Sequence, residues 1–198
     1  MGLQVIVHTG LADEQTARGL YDAGVDQALF DVIGDEETVR TVYGLPYTPK
    51  DYARGLLALR QSGLVVAPHV VVGLHYGQLR GELAALEIIQ DIGADMVVLV
   101  VLRPLPNTPM ASVIPPSAQE MGRLMAVARL LMPDTPLMLG CARPAGQDKV
   151  PMERLAVLAG ANVVAYPDPH TVRLAAERGL RIEFLESCCT MVDTKRMR

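Results

Sequence analysis

The chain has 198 residues, half of them apolar, and 18 basic against 22 acidic side chains leave a formal charge of −4. At roughly 150 residues per domain this length predicts one domain around one sizeable core. Interspersed charges leave no footprint for a polyanion, and 4% aromatics with no Trp argue against base-stacking platforms, so nucleic acid is excluded as an expected partner.

Residues 63–75 and 96–102 form the longest uncharged apolar stretches, shorter than the roughly 20 residues needed to cross a bilayer, so no membrane is expected. Met1-Gly-Leu-Gln4 leads directly into an apolar run, with no basic n-region or small-residue cleavage site, and a cytoplasmic location is expected.

In chain order, β-rich apolar runs fall at Val5–His8, Ala28–Val32, Val65–Gly73, Met96–Leu102, Leu137–Cys141 and Val163–Tyr166. Continuous apolar runs of this kind suit parallel strands covered on both faces. Amphipathic stretches follow them at Ala12–Ala23, Glu36–Val42 with Pro49–Gln61, Gln78–Ile92, Ser117–Leu131, Met152–Leu158 and Thr171–Arg178. Five of these end at a glycine (Gly24, Gly63, Gly93, Gly160 and Gly179), the residue that closes a last helical turn most readily. Arg181–Leu185 reads as a seventh strand or an extension.

Regular alternation predicts an α/β fold with a parallel sheet, doubly wound or curved into a barrel, and the barrel is preferred. A complete barrel has eight strands in about 250 residues. This chain therefore predicts an incomplete (partial TIM) parallel β/α barrel of about six βα units over residues 1–186, with 187–198 as a C-terminal tail. Chemistry in such barrels sits at the carboxyl ends of the strands, where polar residues gather here: His8 to Gly10, Asp31 to Asp35, His69 to Gly77, Arg103 to Thr108, Cys141 to Arg143 and Tyr166 to His170.

Several of these residues can be read two ways. Arg143 follows a strand end and could clamp a carboxylate or phosphate, or form a surface ion pair. Cys141 is a small buried hydrophobe or a metal ligand. His69 lies mid-strand on the side of Val71 and Gly73, available for proton transfer or for a buried hydrogen bond. Cys188 and Cys189 are adjacent, which strains a mutual disulfide, and could instead ligate iron over the barrel mouth. Neither Lys50 nor Lys149 stands where a Schiff-base lysine would be expected.

Four segments in family order resemble the radical SAM superfamily, in its biotin synthase-like branch: Asn107-Thr-Pro-Met110, Ala126-Val-Ala-Arg-Leu-Leu-Met-Pro133, Ala159-Gly-Ala-Asn162, and Tyr43-Gly44 through Tyr52 to Leu56. The resemblance aligns Val5–His8 with the family's third barrel strand. It implies that the strands bearing the Cys-x3-Cys-x2-Cys loop come from a separate partner chain or a missing N-terminal part, with a homo-oligomer as the alternative partner. It also implies S-adenosylmethionine as cofactor, with Asn107, Thr108 and Pro109 meeting the adenine and Asp31 and Asp35 the ribose; for Asp35 the alternative is a helix cap. Gly73 and His75 belong to the strand end that approaches the cofactor, where Tyr76 replaces the family's Glu.

A 4Fe–4S cluster is expected from outside this chain, and an auxiliary iron–sulfur cluster on Cys188, Cys189 or Cys141 is the matching expectation within it. Ala67, Met138 and Val100 stand where biotin synthase itself has two cluster-binding residues and a substrate-facing Asn, so a different substrate is implied: a small molecule or a lipoyl- or biotin-like one, as in two-component lipoyl synthases. The rival expectation is a non-catalytic barrel-fragment subunit or nucleotide-binding module.

Overall fold

In the computed structural model, which describes residues 3–187 and 190–191, six parallel strands form one sheet in the order β1-β2-β3-β4-β5-β6. They are β1 (Ile6–Thr9), β2 (Gln27–Asp31), β3 (Val65–Val72), β4 (Val97–Val101), β5 (Leu137–Leu139) and β6 (Val163–Val164). Strictly sequential order is barrel-like; a doubly wound sheet would reverse direction part-way. The sheet is an open partial barrel, with β1 and β6 as its two edges.

The helices among the described residues are α1 (Glu14–Asp22), α2 (Glu36–Thr38), α3 (Pro49–Gln61), α4 (Glu82–Ile92), α5 (Ala118–Leu131), α6 (Lys149–Leu158) and α7 (Pro169–Glu177). α2 opens into a π-helical turn, Val39–Tyr43, where the β-branched run Thr38-Val39, Thr41-Val42 crowds a tighter helix. The five cap glycines all have positive φ. No helix among the described residues is long and apolar enough to cross a membrane.

Strand alternation sorts the core into two layers. On the outer face Phe30, Val66, Val70, Leu99 and Leu139 pack with Leu56, Leu59, Leu86, Ile89, Met121 and Met125 of the helices. On the inner face a smaller cluster of Ala67, Met96, Val98 and Met138, joined by the partly buried Leu29, Val100 and Val163, lines the barrel. Fully burying one such side chain contributes about 1.5–3 kcal/mol, so the helix-covered outer face supplies most of the driving force.

Several expected bounds change, three of them as follows. β6 stops at Val164 because Tyr166 takes a left-handed backbone (φ 47) and turns the chain away. α4 starts at Glu82, since Gly81 (φ 99) holds a backbone only glycine adopts freely. Arg181–Leu185 is not a seventh strand and has no regular structure.

Thr190 is buried, and its carbonyl accepts from Gln27 Nε2 at 3.3 Å at the amino end of β2, opposite the mouth. Cys188 and Cys189 lie outside the described residues.

Candidate functional site

The carboxyl ends of β1, β2 and β3 bring three titratable side chains onto the inner wall. Asp31 and His69 are register partners across β2 and β3. His8 Nε2 lies 3.3 Å from Asp31 Oδ1, and the His8 and His69 ring centroids are 5.2 Å apart. His69 is 8% exposed. Its Nδ1 lies 2.9 Å from the Ala67 carbonyl, an oxygen that can only accept, so Nδ1 carries the proton and Nε2 keeps its lone pair.

Burial pushes the His69 imidazole below its ordinary value, against the Ala67 hydrogen bond and the Asp31 charge. Burial also raises the Tyr43 phenol, helped by Asp31. The same two influences, in the same order, raise Tyr52. Asp31 thus adds to the effect of burial at two phenols and opposes it at one imidazole.

A second group joins the loops after β2 and β3. Asp35 caps α2: its Oδ2 accepts from the Thr38 backbone N–H at 2.8 Å and the Thr38 hydroxyl at 2.7 Å, and pairs with Arg80 Nε at 3.0 Å. Burial works against its charge, but these bonds outweigh it and hold the carboxyl below its usual range. Because the Thr38 hydroxyl donates to Asp35, His75 Nδ1, 3.1 Å away, is the donor to Thr38 Oγ1. Tyr76 donates from its hydroxyl to the Thr41 carbonyl and stands edge-on to His75.

Glu82 is buried, and its Oε1 accepts from the Gly73 N–H at 2.8 Å. Burial raises its carboxyl despite that bond. Gly73 is explained by the chain itself: a Cβ there would fall 2.3 Å from Pro116 Cγ, and its φ is +79. Gly73 thus packs the β3 loop closely on Pro116.

The loop after β4 is exposed from Leu105 to Pro109. Asn107 holds a left-handed backbone (φ 63) and the Thr108 hydroxyl donates to Leu105 O at 2.8 Å, which together shape the turn.

Arg143 makes neither a surface ion pair nor an open clamp. Its guanidinium is buried, 2.6 Å from Glu153 Oε1, with Gly140 O accepting at 2.7 Å. Glu153 Oε2 accepts from the Asp168 N–H and the Thr171 hydroxyl, both at 2.8 Å, and Lys149 Nζ pairs with Oε1 at 2.6 Å. Burial opposes the charge of Glu153, yet these four donors pull the carboxyl below its usual value. The assembly ties β5 and β6 to α6 and α7. Cys141 is exposed, which corrects its reading as a buried hydrophobe.

The structure thus brings His8, Asp31 and His69 together, places Asp35, Gly73 and His75 on the loops after β2 and β3, and sets Arg143 and Cys141 after the far strand β5. Thr38, Glu82 and Glu153 were missed from the sequence; the Lys149–Glu153 spacing of four residues was the available signal for one of them.

Residues 99–186 match the profile of the Biotin and Thiamin Synthesis associated domain. Biotin synthase of Chromohalobacter salexigens is 30% identical over 174 residues, covering 85% of this chain and 45% of that protein. The chain is similar to biotin synthases over most of its length. It spans about half the length of the curated relatives it matches. Among solved structures, methylornithine synthase (PylB) superposes with a TM-score of 0.66 at 18% identity over 93% of this chain and 60% of that one. A hydroxymethylglutaryl-CoA lyase from Pseudomonas aeruginosa superposes at 0.60 and 13% identity over 98% and 66%. These likenesses show the shared barrel fold, which hosts a synthase and a lyase alike and so does not select the chemistry.

The cofactors implied by a biotin synthase-like sequence fit unequally. Among the described residues no three His, Cys, Asp or Glu side chains stand together as metal ligands, so these residues do not fit a cluster. A nucleoside fits better: the Asp31 side chain is 33% exposed at the mouth, and residues 105–109 are exposed. Asp35 is the weaker candidate, its Oδ2 already held by Thr38 and Arg80.

Proposed function

We propose that this biotin synthase-like chain is the C-terminal, cofactor- and substrate-binding part of a radical SAM-type enzyme acting in the cytoplasm. S-adenosylmethionine sits at the mouth, its ribose on Asp31 and its adenine along the backbone of Asn107, Thr108 and Pro109, with His75 beside it. The cluster that makes the cofactor reactive is carried by an N-terminal part or a partner chain docking on the β1 edge. The substrate, a small molecule or a lipoyl- or biotin-like one, occupies the inner wall, whose apolar lining excludes water.

The observation that carries this reading is the 30% identity to a biotin synthase along 85% of the chain. The open β1 edge supports it, since an unpaired edge is a template for added strands. The test is anaerobic reconstitution with iron and sulfide, of the chain alone and mixed with a polypeptide carrying Cys-x3-Cys-x2-Cys on two βα units. Cofactor cleavage in the mixture and not in the chain alone is expected; equal, cluster-free behaviour of the two samples overturns the reading. Iron held by the chain alone and lost in Cys188→Ser with Cys189→Ser would assign the auxiliary cluster to that pair.

A further inference from the structure

Beyond cofactor binding, the inner wall carries a constellation of which the proposed nucleoside contact uses only Asp31. Its lining at the level of β2 to β6 is apolar (Leu29, Ala67, Val98, Val100, Met138 and Val163), except for His8, Asp31 and His69 at the carboxyl ends. His69 is nine-tenths buried, its Nδ1–H is spent on the Ala67 carbonyl, and its Nε2 has no hydrogen-bond partner among the described residues. An imidazole pinned at one nitrogen presents a defined lone pair at the other. Asp31 sits beside it on the neighbouring strand, where a carboxylate stabilises an imidazolium once it forms. His8, more exposed, bridges Asp31 toward solvent.

We propose that His69 is a general base that removes a proton from a neutral carbon acid held in the apolar chamber, with Asp31 as counter-charge and His8 as the proton's exit to solvent. The step is heterolytic. The substrate C–H bond breaks, its electron pair stays on the substrate, the proton goes to His69 Nε2, and no oxidant or reductant is needed. Neutral substrates are favoured because Asp31 repels an anion approaching the same nitrogen, whereas the apolar wall accepts an uncharged body. Metal ligation by the same three residues is the weaker alternative, since they do not already surround a common point.

The test uses a neutral carbon acid that reports directly on a base in an apolar site, a nitrobenzisoxazole. Loss of its ring C–H proton breaks the N–O bond, forms a nitrile and releases a coloured phenolate. The full chain is expected to open this ring at least about 100-fold faster than free imidazole at equal concentration, within the range typical of positioned bases. His69→Gln should lower the rate at least about tenfold with an unchanged circular dichroism spectrum, while His170→Ala on exposed α7 leaves it unaltered. Activity should fall on acidification with a midpoint below the ordinary imidazole value of 6.5, the direction burial imposes on His69. Asp31 and His8 face it from β2 and β1, and Tyr43 and Tyr52 share the field of Asp31, so Asp31→Asn should lower that midpoint further. A rate no faster than free imidazole, or one that survives His69→Gln, overturns the proposal. No nucleoside or cluster enters this assay, so its outcome is independent of the cofactor reading.

Discussion

Arg143 and Glu153 meet at 2.6 Å with side chains 4% and 0% exposed, and between them they tie β5 and β6 to α6 and α7. Removing one partner of a buried pair leaves an uncompensated charge, so Glu153→Ala is expected to cost about 3–5 kcal/mol, read as a lower urea midpoint.

The pH dependence of that loss follows from the direction of the shift. The folded Glu153 carboxyl lies below its unfolded value of 4.5, so its contribution is complete above that pH and is lost as pH falls through the folded value. The stability gap between the native protein and Glu153→Gln should therefore narrow below pH 4.5, as urea titrations across pH will record.

Glu82 behaves oppositely. Its folded carboxyl is raised above 4.5, so burial handicaps the native protein as pH rises and the group ionises. Glu82→Gln keeps an acceptor for the Gly73 N–H and should match or exceed native stability at pH 7. Glu82→Ala leaves that N–H buried without a partner and should lose about 1–3 kcal/mol. Thermal melts of the two variants separate the effects.

Gly34 sets how closely the loops after β2 and β3 approach. A Cβ there would fall 2.2 Å from Gly81 O and 2.5 Å from Ala85 N, both backbone atoms that cannot rotate away. Gly34→Ala is expected to destabilise by about 1–3 kcal/mol and to move the His75 imidazole signals in an NMR spectrum, because Asp35 and His75 sit on the displaced loops.

The strand order and the polar mouth were legible because an apolar run flanked by cap glycines reports burial on both faces whatever the partner. Pro49–Gln61 matched its expected bounds, since Thr48 and Asp51 form a capping box around a proline start. Positions fixed by contact between distant segments were not legible. Gly73 depends on Pro116, 43 residues on, and Glu153 on donors from Arg143 to Thr171. Tyr166 shortened β6 through a left-handed backbone that no residue pattern announces for Tyr. Asp35 was readable as a cap from its place before Glu36, but the relay through Thr38 to His75 needed the fold.

The central claim, that the mouth of this biotin synthase-like barrel takes S-adenosylmethionine through Asp31, is tested most directly by calorimetric titration of that cofactor into the chain. Saturable binding that weakens about tenfold in Asp31→Ala, near 1.4 kcal/mol, is expected for loss of one charged acceptor. Absence of binding, or equal affinity in Asp31→Ala, would contradict it.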